Sequence, residues 1–134
     1  MLKKWKIIEN DLCITCKDNN YKENNEHLIL KCKNVLHIWN IVKQVLKFDI
    51  SWKTIVVGFY NENNRKTRFL NNIISLIACK IYKYKMYCRI ENKDEKPLEI
   101  SIHVKNKLNL YAAVYKKIFG KEYCKVINDI KEKL

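Results

Sequence analysis

Two cysteines are separated by two residues in Cys13-Ile14-Thr15-Cys16, and after ten more residues a histidine and a third cysteine are separated by four in His27-Leu28-Ile29-Leu30-Lys31-Cys32. Close spacing brings two donors to one side of a metal ion. The longer gap lets the chain turn back with the other pair. Zn²⁺ takes four tetrahedral N or S donors, and a closed set of three Cys and one His is a structural rather than a catalytic type, since catalytic zinc keeps a position open. The expected ligands are therefore Cys13, Cys16, His27 and Cys32. Three buried thiols with a core histidine is the competing account, and a lone Cys-x-x-Cys could be a redox pair. His37, five residues past Cys32, is a rival ligand, although the pattern favours a place on the following helix or at the surface. Bound zinc would supply much of the folding free energy of a segment with little apolar core of its own.

The six cysteines do not read as a secreted disulfide framework. Met1-Leu2-Lys3-Lys4-Trp5-Lys6 leads into only two apolar residues before Glu9, which is not a signal peptide. No apolar run approaches the roughly 20 residues that span a bilayer. Metal-bound thiolates in a reducing compartment fit better.

Elements must position those ligands. The 134 residues include two glycines and one proline, so breakers are scarce, and 48% of the chain is hydrophobic. Long periodic apolar runs with few turn residues predict an all-α chain. Apolar residues at three- and four-residue steps predict helices over 33–48, 65–90, 98–119 and 121–133. A short one over 52–59, with Ser51 as N-cap, competes there with an extended segment because 55–57 is β-branched. Helix 65–90 has the widest apolar arc (Leu70, Ile73, Ile74, Ile77, Ile81, Tyr84 and Cys88, flanked by Phe69, Leu76 and Tyr87) and is the expected central helix. Helix 98–119 presents Ile100, Val104, Leu108, Tyr111, Tyr115, Ile118 and Phe119. Pro97 suits a first helical turn and Gly120 a helix end. The expected architecture is a zinc knot with its lead-in over 1–34 and a bundle of about four to five helices over 35–134, one continuous unit with antiparallel neighbours. Cys79 and Cys88 are expected as core thiols, and His103 as a solvent-facing or packing residue.

The net charge is +13. Residues 1–50 hold nine lysines against six acids, and residues 51–134 hold 18 basic against eight acidic residues. Residues 63–90 carry seven Lys or Arg and no acid. Such a surface suits a polyanion, most often nucleic acid. The abundance of Lys, Asn, Ile and Tyr, all with A/T-rich codons, offers a compositional origin for part of that charge. Candidate phosphate contacts are Lys3, Lys4, Lys6, Arg65, Arg68, Lys80, Lys83, Lys85 and Arg89, with Tyr82, Tyr84 and Tyr87 interleaved for base stacking. No paired carboxylates, no Ser/His/Asp order and no glycine-rich phosphate loop is present, so no enzymatic activity is expected.

The first forty residues resemble the zinc-binding domain at the C-terminus of non-LTR (LINE-type) retrotransposon reverse transcriptases. Trp5-Lys6, Cys13-x₂-Cys16, Glu26-His27-Leu28-Ile29-Leu30-Lys31-Cys32 and Trp39 carry the match. The stretch from Ile77 to Lys85 looks like the Lys- and aromatic-rich helix that closes many of these proteins, and Asn106-Lys107-Leu108 with the last helix looks like the tail beyond it. Many members have Pro and Gly after the first and second Cys, where this chain has Ile14 and Lys17. The polymerase domain with its paired aspartates is absent. The resemblance implies a C-terminal piece of such a protein, intracellular and nuclear, binding Zn²⁺ and contacting RNA template or target DNA without polymerising. The alternative is a structural or protein-interaction module that packs against the polymerase body or a second copy.

Overall fold

The computed structural model describes residues 25–47, 49–58 and 65–134. Those residues are all-α, with no strand among them. A π-type turn over His27–Lys31 comes first. It is followed by α1 (Leu36–Leu46), α2 (Trp52–Val57), α3 (Arg65–Ile90), α4 (Pro97–Phe119) and α5 (Lys121–Lys133).

Local chemistry sets most helix ends. Ser51 caps α2, its hydroxyl accepting the Thr54 N–H at 3.2 Å, so the β-branched 55–57 stretch is helical after all. Gly58 ends α2 at φ +82°, and a Cβ there would come within 2.9 Å of Asn71 on α3. Only glycine meets both demands at no cost. Lys47 closes α1 in the left-handed region, two residues short of the expected end at 48 once the helix itself stops at Leu46. Pro97 opens α4, where its missing N–H costs nothing. Gly120 alone joins α4 to α5, at φ +108°.

Packing then orders the helices. Phe69, near the start of α3, meets Tyr115 and Phe119 near the end of α4 edge-on at 5.8 and 5.6 Å, and Tyr123 of α5 at 4.6 Å. Tyr84, late in α3, donates its hydroxyl hydrogen to Glu99, early in α4, at 2.7 Å. These two pairings run α3 and α4 antiparallel. With a one-residue joint, α5 turns back along α4 and meets α1. One core results, built on Trp39, Phe69, Ile73, Ile77, Ile81, Ile100, Leu108, Ile127 and Ile130. Leu30, Cys32 and Val35 belong to that same core, so the turn segment and the helices share their buried surface. No helix among the described residues is long and apolar enough to cross a membrane.

Three sequence expectations need correction. Cys79 is exposed, so the core-thiol reading holds for Cys88, which is buried, and not for its neighbour nine residues back. Ile118 and Tyr87, assigned to apolar faces, are 59% and 48% exposed. A helix wheel ranks residues by direction alone and does not say how far each one is covered.

Candidate metal centre and candidate nucleic-acid interface

His27 and Cys32 lie at the two ends of the π-turn. The Cys32 N–H donates to the His27 carbonyl at 2.7 Å, an i→i+5 bond. In an α-helix residues five apart point roughly 140° away from one another. The wider π-turn removes most of that angle along the backbone. Both are buried, His27 at 5% and Cys32 at 0% exposure.

The turn is held from outside. Trp39 on α1 donates its indole N–H to the Ile29 carbonyl at 2.7 Å, and the ring is 2% exposed. Asn34 reaches Glu95 in the α3–α4 connection at 3.4 Å, and the same carboxylate lies 3.4 Å from Lys85 Nζ. At its open edge Lys31 pairs with Glu26 at 2.6 Å, a solvated contact of little energetic weight.

Cys13 and Cys16, the other half of the expected ligand set, lie outside the described residues, as do Lys3, Lys4 and Lys6. Among the described residues no group of three or more His, Cys, Asp or Glu side chains could hold a metal. The described donors nonetheless fit zinc in kind: one imidazole and one thiol, both buried, where a thiolate would be costly unless a cation offset its charge. His37 is engaged elsewhere. Its Nε2 is hydrogen-bonded to Ser101 on α4, which pins α1 against α4. Burial holds its pKa below the usual 6.5.

The basic candidates separate by environment. Arg65, Arg68 and Lys83 are exposed, and Lys80 and Arg89 are half-buried. Lys85 is not a phosphate contact: it is fully buried on the core side of α3, one turn past Ile81, with its ammonium against Glu95. At 3.4 Å that contact is an ion pair, longer than a good hydrogen bond.

Lys80 and Lys83 line a groove between α3 and α4. On α3 it is edged by Asn72, Leu76, Lys80 and Lys83, and on α4 by Lys107, Tyr111 and Tyr115. It continues past Lys83 to Tyr84, Tyr87 and His103. None of the residues lining this length is acidic. Lys107 Nζ sits 5.1 Å from the Tyr111 ring centroid. Beyond, the groove opens into a cavity of about 690 Å³ that Tyr84, Tyr87 and His103 share with Asp94, Lys96 and Glu99. The His103 ring lies tilted over Tyr84, centroids 5.1 Å apart. Burial, and then the bond to Glu99, push the Tyr84 hydroxyl pKa far up, so it stays a proton donor. Lys93 bonds the Tyr87 hydroxyl at 2.8 Å and so approaches the ring's polar end rather than its face.

The α4 side of this groove was not among the sequence candidates. Its signal was present in the four-residue steps His103, Lys107, Tyr111 and Tyr115, of which the two tyrosines were assigned to the apolar stripe. No protein family, curated protein or solved structure matches the chain.

Proposed function

We propose that this chain is a non-catalytic, zinc-binding and nucleic-acid-binding module of the type found at the C-terminus of LINE-type reverse transcriptases, contacting RNA template or target DNA. The acid-free groove of Lys80, Lys83 and Lys107 beside Tyr111 and Tyr87 is the observation that carries the binding half. It pairs cations for phosphate with aromatic faces for bases. His27 and Cys32, with Cys13 and Cys16, would hold Zn²⁺, which cross-links the segment and performs no reaction. Burial of His27 and Cys32 at the two ends of a π-turn supports that half.

Two measurements test the proposal together. Metal analysis of the purified protein is expected to give one zinc per chain, lost in Cys16→Ser. Titration with labelled RNA and DNA is expected to show affinity falling steeply with salt. No binding at low salt removes the nucleic-acid reading, and no zinc removes the metal reading.

A second reading has its own observation. On α4 Leu98, Ile102, Leu110, Val114 and Ile118 are 44–72% exposed. An apolar series of that kind suits a structural or protein-interaction module that packs against a polymerase body or a second copy. Self-association in sedimentation without nucleic-acid binding favours this alternative.

A further inference from the structure

We propose that the α3–α4 groove takes a single strand, and that the cavity at its end receives one unstacked base between Tyr87 and His103. This rests on the nucleic-acid reading and specifies its substrate class.

Shape comes first. Packed helices lie about 8–10 Å axis to axis, so the furrow between two of them admits one extended strand and is too narrow for a duplex. From Asn72 to Tyr87 the α3 edge runs about 22 Å at ~1.5 Å per residue. That length suits the short end of the roughly 4–16 nucleotides that known single-strand sites cover. Within it, Lys80 and Lys83 on one wall and Lys107 on the other place cations on both sides of the track.

Chemistry changes along the groove. Through its length the polar groups are cationic or neutral, as a phosphate backbone requires. Only at the end do carboxylates enter, Asp94 and Glu99, alongside Lys93 and Lys96. A carboxylate repels phosphate but accepts from the N–H donors of a base edge. Tyr87, nearly half exposed, and His103, exposed, supply ring faces at the same place. The cavity's 690 Å³ is within the range of small-ligand sites, ample for a base with its sugar. A backbone track that ends in an aromatic, acid-edged hollow is the arrangement for a strand with one base turned out of its stack.

The test compares a strand of about 12 nucleotides, as RNA and as DNA, with the same sequence as duplex, at equal salt. The single strand is expected to bind at least about tenfold tighter than the duplex. Removing one stacking face should cost about 10- to 100-fold. Tyr87→Ala and His103→Ala are therefore expected to weaken single-strand binding to that extent and leave duplex binding unchanged. Lys83→Gln should weaken both. Both aromatic residues are on the surface, so circular dichroism should match the wild type. Equal affinity for single strand and duplex, or Tyr87→Ala and His103→Ala proteins that bind like wild type, overturns the proposal while leaving the nucleic-acid reading in place. Absence of all binding overturns both. The RNA and DNA arms distinguish which strand chemistry is the ligand.

Discussion

Cys32 and His27 are joined through the backbone, the Cys32 N–H to the His27 carbonyl at 2.7 Å, an i→i+5 bond that closes the π-turn between a buried imidazole and a buried thiol. If they hold zinc, the turn and the metal stabilise one another. Chelation of the purified protein should then lower helical circular dichroism in part, and Cys32→Ser should start at that lowered value and not respond to chelator. A chelator-insensitive wild type would show that the buried pair is structural without metal.

Trp39 braces this turn through Ile29. Trp39→Phe keeps most of the buried ring and removes the one N–H, leaving a carbonyl of the turn without its donor. The expected cost is about 1–3 kcal/mol in urea denaturation. Metal affinity should fall along with stability, whereas Trp39 acting only as core filling would leave affinity alone.

Lys85 and Glu95 form a pair whose side chains are 0% and 8% exposed. Removing one partner strands the other charge in the core. Lys85→Met or Glu95→Leu alone should each destabilise by about 3–5 kcal/mol, and the double substitution by much less than the sum. Additive losses in this cycle would mean the two charges do not act as a pair.

His37 gives a pH dependence of known sign. Burial lowers its pKa in the folded chain from 6.5. The unfolded chain therefore takes up the proton first as pH falls, and stability is present above about 6.5 and lost below it. Comparing urea midpoints at pH ~7.5 and ~5.5, the wild type should lose more than His37→Gln. Equal losses in the two proteins would place the acid sensitivity elsewhere, for example at metal-bound thiolates.

Salt slopes count phosphates. For a single strand each neutralised phosphate contributes about 0.7 to the slope of log affinity on log salt. Lys80→Gln, Lys83→Gln and Lys107→Gln should each reduce the slope by about that much. Lys66→Gln, exposed at the start of α3 outside the groove, should not. A slope that follows total charge and not position would argue for diffuse attraction.

Helix limits were the most legible feature of the sequence. α3 and α5 run over 65–90 and 121–133 as the periodicity predicts, and caps and breakers are likewise local: Ser51 acts through its hydroxyl on Thr54, Pro97 and Gly120 through their own backbone. α1 is shorter than its apolar pattern, since Val35 packs into the core from the turn before the helix. Which lysine is buried was not legible. Lys85 differs from Lys83 by the direction of one side chain and by the Glu95 carboxylate, ten residues along and on another element.

By itself, then, the sequence determined the all-α class, the bounds of the long helices α3 to α5 to within a residue, and the Cys and His spacing that suggests zinc. Periodicity and capping are relations among residues close in the chain. Only the tertiary structure decided that Cys32 lies in the helical core and that Lys85 leaves the candidate phosphate contacts. It alone brought Lys80 and Lys83 to face Lys107 across a groove ending at Tyr87 and His103. Those relations depend on which faces of α3 and α4 meet, and that is set by packing the core as a whole, which no single stretch of sequence encodes.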